Sequence, residues 1–259
     1  GSFCPVCAPM FGQKGWKAHL VCHCLLVETD RGLVLIDTGL GTQDYLHTQQ
    51  RLGSLLTKFG AIVPDIHLSA FHQIQRLGYS LDDVKHIFVS HLDFDHAGGI
   101  SDFPNATVHV LASEFNATQS LSLKGKNRYK TEQFKYHRYW NFAEQADGEA
   151  WFNLQKVKGL PLFQDEILMV PLIGHTLGHS AIAVKKQDGW ILFCGDAYFS
   201  HLELNPKNRL RALDFTERLL AEDNQQRLHN LKQLQYLAQH EPSIELICAH
   251  DPVEFNRYQ

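Results

Sequence analysis

No stretch of this chain approaches the roughly 20 consecutive apolar residues that a membrane-spanning helix needs, and no secretory leader is visible, so a membrane partner is not expected. A basic surplus is also missing. Lysine and arginine together number 24 against 28 aspartates and glutamates in 259 residues, a formal net charge of −4. That balance argues against a nucleic-acid backbone binder, which ordinarily carries an excess of positive charge, but it leaves room for a small phosphorylated substrate. Runs of like charge that would mark a solvated tail are absent, as is any Pro- or Gly-rich linker, and the expectation is one domain over 1–259. Hydrophobic residues make up 44 %, enough for a core that needs no covalent staples.

Cysteine is sparse and scattered. Cys4 and Cys7 form C-x-x-C, Cys22 and Cys24 form C-x-C, and Cys194 and Cys248 stand alone. The spacing invites a structural zinc reading. Against it, Cys22, Cys194 and Cys248 lie in apolar, strand-like runs, where a thiol behaves as a small hydrophobe. Free thiols and a cytoplasmic location are the expectation. Gly1-Ser2 resembles a cloning remnant, so a native leader is not excluded.

The elements read as strands followed by helices, twice. His19 to Thr29 reads as a strand, Asp30-Arg31-Gly32 as a turn, and Leu33 to Ile36 as the returning strand. Ile66, Ala70, Ile74 and Leu77 have helical spacing, with Gly78 as the stop. Ile87 to Val89 is a buried strand running into Ser90-His91. Thr107 to Leu111 is another, with Ser113 as a candidate cap for the helix that follows. In the second half, Ile167 to Leu172, Ala181 to Lys185, Trp190 to Cys194 and Glu245 to Cys248 read as strands, and Gln187-Asp188-Gly189 as a hairpin turn. Phe215 to Leu237 reads as one long amphipathic helix with Leu219, Leu220, Leu228, Leu231, Leu234 and Leu237 on its apolar face. Between the halves, Lys124 to Trp140 is crowded with basic and aromatic residues and has no clean period. It reads either as part of a lid-like insertion, about 116–160, or as a solvated face with its aromatics tucked inward.

Histidine is abundant, 16 residues, and its placement carries the chemistry. His91-Leu92-Asp93-Phe94-Asp95-His96 puts four candidate donors directly after a strand, and Ala97-Gly98-Gly99 follows. Alternation would turn His91, Asp93 and Asp95 to one side and aim His96 differently. Carboxylates packed this densely repel one another unless a cation joins them. His175 and His179 lie in Gly174-His175-Thr176-Leu177-Gly178-His179, Asp196 follows the apolar run Trp190 to Cys194, and His250 follows Ile244 to Cys248. Donors from separated strand ends meeting at one sheet edge is how a two-metal site is assembled.

These motifs, with Asp37-Thr38-Gly39 ahead of them, resemble the metallo-β-lactamase superfamily in kind and in order, from about residue 20 to 252. The resemblance implies an α/β fold, an αββα sandwich of two face-to-face mixed sheets with helices outside. It implies two divalent metal ions, zinc first, with iron or manganese as alternatives. His91, Asp93 and His175 would hold the first ion, Asp95, His96 and His250 the second, and Asp196 would bridge them. His179 would support the ligands from behind, and Asp37 would brace the metal loop. The departure is Asp93, where the family ordinarily has histidine; a hard oxygen there favours manganese, iron or magnesium more than an all-histidine face does. We read Asp93 as a direct ligand, because an unpaired buried carboxylate is costly.

The expected chemistry is hydrolysis by water activated between two metals, with Asp95 orienting the nucleophile and carrying the proton and Tyr198 either donating to the oxyanion or packed as an aromatic beside the site. The segment Ser90 to Gly99 looks most like the N-acyl homoserine lactone lactonases, which implies a small ester or lactone and a quorum-quenching role. Those enzymes have histidine at position 93, and their active-site tyrosine lies one residue further from the bridging aspartate. A phosphodiesterase, a glyoxalase-type thioesterase, an iron-dependent redox enzyme and a non-catalytic binding protein are the rival readings. A small-molecule substrate is expected, with the aromatics from Tyr129 to Trp140 as candidate lining of an acyl pocket; a homodimer is compatible with the sequence.

Overall fold

The computed structural model describes residues 2–3, 8–59, 62–119, 128–144, 148–163, 165–208 and 210–258. Cys4, Cys7 and the stretch 120–127 lie outside those residues, and with them the zinc reading of the first cysteine pair and the first part of the basic, aromatic segment. Among the described residues no helix is long and apolar enough to cross a membrane.

Thirteen strands are described. A short N-terminal pair, β1 (Ser2–Phe3) and β2 (Leu20–Val21), is antiparallel. The first large sheet runs β3 (Leu25–Thr29), β4 (Gly32–Ile36), β5 (Val84–Phe88), β6 (Thr107–Leu111) and β7 (Trp140–Ala143), with β3 antiparallel to β4 and the remainder parallel. The second contains β8 (Glu149–Trp151), β9 (Leu154–Gly159), β10 (Ile167–Pro171), β11 (Ser180–Lys186), β12 (Gly189–Phe193) and β13 (Ile244–Ile247) in the spatial order β13-β12-β11-β10-β9-β8. Only β12 and β13 are parallel; the other neighbours are antiparallel. Helices cover the outer faces. The expected αββα sandwich is what forms.

The apolar runs explain the layering. In β4, Val34 and Ile36 face the second sheet while Leu33 and Leu35 face the outer helices. In β10 to β12, Ile167, Met169, Ile182, Val184 and Phe193 enter the inter-sheet core, and Leu168, Val170, Ala181, Ala183 and Leu192 face outward onto a helical layer. Strands buried on both faces need continuous apolar sequence rather than alternation.

Several expectations need correction. His19 to Thr29 is not one strand but two, β2 and β3, in different sheets. The Ile66 to Leu77 helix begins as the turn Ile66–Leu68 and restarts at Ala70–Arg76, because Ser69 caps it by accepting from the His72 amide. Ser113 is not a cap: the helix Ala112–Thr118 follows Leu111, with no side-chain cap. The long helix breaks into Arg211–Leu220 and Asn224–His240, where Asp223 accepts from the amides of Gln225 and Gln226 at 2.9 and 3.0 Å. Leu219, Leu220 and Leu228 are exposed, whereas Leu234 and Leu237 are fully buried under the second sheet. Within 116–160, β7 joins the first sheet and β8 and β9 the second, and Tyr129 and Phe134 are buried in the outer core of the first sheet.

Two amide hydrogen bonds at a helix start are worth about 1 kcal/mol, with a range of roughly 0.5–2. Asp223→Ala should therefore lower the unfolding free energy by about 1 kcal/mol in urea titration; no change would mean that the helix break is set elsewhere.

Candidate metal centre

The donors gather where strand ends of the two sheets meet. β5 delivers Val89, Ser90 and then His91, and the short helix Phe94–Ala97 carries Asp95 and His96. Tight loops after β10 and β12 supply His175 and Asp196, and His250 follows β13. All of these except Asp93 are buried, and Asp93 is half-buried.

Asp196 lies at the centre, and its two oxygens face different partners. Oδ2 is 3.7 Å from His91 Nε2 and 3.3 Å from His175 Nε2. Oδ1 is 3.3 Å from His96 Nε2 and 3.0 Å from His250 Nε2. On the first side Asp93 Oδ2 completes the group, 3.4 Å from His91 Nε2 and 3.2 Å from His175 Nε2. On the second, Asp95 stands 3.8 Å from His96 Nε2 through Oδ1 and 3.7 Å from His250 Nε2 through Oδ2. The sets His91, Asp93, His175 and Asp95, His96, His250 each bring three ligand atoms within 4.8 Å of one another. Among the described residues, the buried Nε2 atoms of His91 and His96 have no hydrogen-bond partner. Buried polar atoms are seldom left so, and donors at these spacings suit divalent cations bound by nitrogen and oxygen about 2 Å away.

The ring nitrogens that face away from the cluster explain the aim of those that face it. His96 Nδ1 is 2.7 Å from Asp37 Oδ2, whose carboxylate also accepts from the Ser90 amide and hydroxyl at 2.7 Å each. Asp37 takes a left-handed backbone (φ 53°) to present both oxygens. His250 Nδ1 is 2.8 Å from the Val21 carbonyl. His179 stands behind the site: its Nδ1 lies 3.0 Å from the Leu172 carbonyl, and its Nε2 accepts from the Asp196 amide at 3.0 Å. Such contacts fix tautomer and ring orientation. Gly195 makes this packing feasible: its φ is +52°, and a Cβ there would lie 2.8 Å from His179 Nε2.

Charge follows the same layout. Burial pushes the Asp196 carboxyl up, but His250, His96 and His175 around it hold it well below the usual range. Burial lowers His96, yet Asp196, Asp37 and Asp95 raise it well above the normal imidazole value. His91, buried beside His96, is pushed well down. For Asp95 burial outweighs His96 and His250, and its carboxyl is raised.

Sequence reasoning missed two residues. Glu114, fully buried, accepts from the Leu92 amide through Oε1 and from the Gly178 amide through Oε2, both at 3.0 Å, and so ties the two ligand loops together. Burial raises its carboxyl to about 7, against those hydrogen bonds. Arg128 pairs with Asp93 through two bonds of 2.7 Å. The only available signal for the second was Asp93 itself, a carboxylate in a position that needs a cation nearby.

Tyr198 is not where the sequence reading put it. Its hydroxyl donates to Glu254 at 3.0 and 3.2 Å, and its ring is buried in the outer core of the second sheet. The next residue turns the other way: the Phe199 ring centroid is 5.9 Å from that of His175 and 5.2 Å from that of His250. An apolar ring thus covers the place where the lactonase-type tyrosine was sought.

A sandwich of two sheets that gathers histidines and aspartates at one edge defines a class of metal-dependent hydrolases. Residues 19–238 match the metallo-beta-lactamase superfamily, and the chain belongs to that superfamily. It is 39 % identical over 239 residues to a probable metallo-hydrolase of Mycobacterium tuberculosis, covering 90 % of this chain and 75 % of the relative. It is 28 % identical over 189 residues to an N-acyl homoserine lactonase of Bacillus thuringiensis, covering 72 % and 67 %. A solved N-acyl homoserine lactone hydrolase, with the product N-hexanoyl-L-homoserine at its catalytic metal centre, superposes with a TM-score of 0.72 at 22 % identity, covering 99 % of this chain and 92 % of that one. The chain is accordingly a metallo-hydrolase.

Glu114→Ala would strip the acceptor from two buried amides at about 1–3 kcal/mol each. Chemical denaturation should show a loss of about 2–6 kcal/mol; a loss below about 1 kcal/mol would mean that the two loops hold without the carboxylate.

Proposed function

We propose that this protein hydrolyses a small ester or lactone, of the N-acyl homoserine lactone type, using two divalent ions of which zinc is the first candidate. The observation that carries the reading is the division of Asp196, one oxygen toward His91 and His175 and the other toward His96 and His250. His91, Asp93 and His175 would hold one ion, Asp95, His96 and His250 the other, with Asp196 shared. When bound, such a pair lowers the pKa of water toward neutrality and polarises a carbonyl. The likeness to the Bacillus lactonase supports the substrate class.

The chain's own contribution is orientation and proton handling. Asp37 and Val21 hold His96 and His250 so that their Nε2 atoms face Asp196. Asp95, 7 % exposed and beside His96 and His250, is the group placed to take a proton from the attacking water and return it to the leaving alkoxide. Phe199 shields this edge from solvent. With Tyr198 committed to Glu254, the oxyanion receives no hydroxyl from that residue.

Elemental analysis of the purified protein should find two ions per chain, and activity should be highest on lactones within a panel of lactones, thioesters and phosphodiesters. Asp196→Ala should remove both the ions and turnover. Asp37→Ala, which leaves every donor in place, should weaken metal binding by about 10–100-fold. Retained full turnover in Asp196→Ala would sink the site assignment. Preference for a thioester or phosphodiester would keep the site and replace the substrate.

A further inference from the structure

Every nitrogen of the Arg128 guanidinium has a partner, two of them at the first metal group. Nε donates to Asp93 Oδ1 and Nη2 to Asp93 Oδ2, both at 2.7 Å. Nη2 is also 2.6 Å from His175 Nε2. Nη1 donates to the Leu220 carbonyl at 2.7 Å and stands 3.5 Å from Glu222 Oε1. The Arg128 side chain is 10 % exposed and that of Asp93 14 %. Leu220 and Glu222 lie at the break between the two helices, where the Glu222 and Asp223 amides donate to the carbonyls of His175 and Gly174 at 3.1 and 2.9 Å. Asp93, Arg128, the helix break and the His175 loop therefore form one connected unit.

We propose that Asp93 and Arg128 together replace a neutral histidine ligand, with Arg128 acting as a positioning residue that cancels the carboxylate's charge and limits Asp93 to one-oxygen binding of the first ion. This deepens the metal reading above and rests on it. An aspartate adds one negative charge to a donor set that a histidine would leave unchanged, and the guanidinium returns the sum to what histidine gives. The fork geometry matters as much as the charge. Two parallel N–H···O bonds occupy Oδ1 and one side of Oδ2, leaving Oδ2 to face His91 and His175. His175 Nε2 has one lone pair, so an ion bound there takes the place of the Arg128 N–H contact, while the fork to Asp93 keeps the guanidinium beside that ion. Only the intervening carboxylate makes that tolerable.

The pair therefore has to be exchanged as a pair. Asp93→His alone supplies the ordinary ligand yet leaves a buried guanidinium, stripped of its carboxylate fork and held only by the Leu220 carbonyl and by Glu222 at 3.5 Å, next to a dication. Breaking one partner of a buried ion pair is strongly unfavourable, and first-site affinity should fall about a hundredfold or more, giving one tightly held ion per chain. Asp93→His with Arg128→Met should return to two. Arg128→Met alone frees both Asp93 oxygens and removes the repulsion. It should bind the first ion about tenfold or more tightly, and its cobalt(II) derivative should show weaker visible absorption as the coordination number rises. Metal content by elemental analysis, zinc titration calorimetry and cobalt spectra of the four proteins, each checked for cooperative thermal unfolding, read this out without assaying turnover. Two tightly held ions in Asp93→His, or a double variant no better than it, overturns the proposal. If Asp93→His does not fold, loss or no change of first-site binding in Arg128→Met overturns it instead. Wild-type protein that binds no ion overturns the metal reading as well, which separates the two failures.

Discussion

The structure depends on keeping several ionisable groups charged in a place almost without water. Asp93, Asp95 and Asp196 converge with His91, His96, His175 and His250, and all but Asp93 are less than a tenth exposed. Removing a carboxylate from water costs several kcal/mol even after the protein relaxes, so each needs compensating charge at short range. Asp196 has it from imidazoles on both sides, Asp93 from Arg128, and Asp37 from His96 at 2.7 Å. Asp95 is the exception: its carboxyl is raised, since burial exceeds the pull of His96 and His250. The donor set is therefore not uniform.

Such a cluster is destabilising by itself and has to be carried by the rest of the molecule. The inter-sheet core does this with strands that are apolar on both faces, so the ligand loops start from anchored ends. Val89 and Phe88 are fully buried immediately before Ser90-His91, as are Phe193 and Cys194 before Asp196 and Cys248 and Ala249 before His250. Between loops the clamps are polar and specific. Glu114 joins the His91 loop to the His175 loop, and His179 joins the His175 loop to the Asp196 amide. The glycine at 178 allows the first of these, since a Cβ there would fall 2.2 Å from the Glu114 amide nitrogen. Each clamp crosses from one strand end to another, which lets donors from both sheets share one small volume.

What could be read from the sequence was what is local or strongly patterned. The donors in His91 to His96 and the apolar strands that precede each ligand are contiguous in the chain, and the structure places all seven expected donors together. Tyr198 failed because proximity in sequence does not fix the side to which a loop residue turns: one position separates a ring facing the cluster, Phe199, from one locked to Glu254. The helix break failed because leucine periodicity continues through it, and the signal that interrupts it, Asp223 as a cap, is a single residue. Arg128 was invisible for a different reason. Its contacts reach 35 positions back to Asp93, 47 forward to His175 and 92 forward to Leu220, and no spacing rule operates over such distances.

Position 93 shows why a ligand set cannot be judged residue by residue. Considered alone, an aspartate there adds a hard, negative donor and shifts the expected metal preference toward manganese or iron. Arg128 works against both effects. Burial would raise the Asp93 carboxyl, but the guanidinium and the neighbouring imidazoles hold it well below its usual range. A carboxylate already accepting two charge-assisted hydrogen bonds, one on each oxygen, offers less negative charge to a further cation than a free carboxylate does. Asp93 thereby moves toward the donor strength of a neutral ligand while keeping a carboxylate's shorter reach. On this argument the substitution need not change which metal the site prefers, and the ligand to compare with histidine is the Asp93–Arg128 pair, not the aspartate.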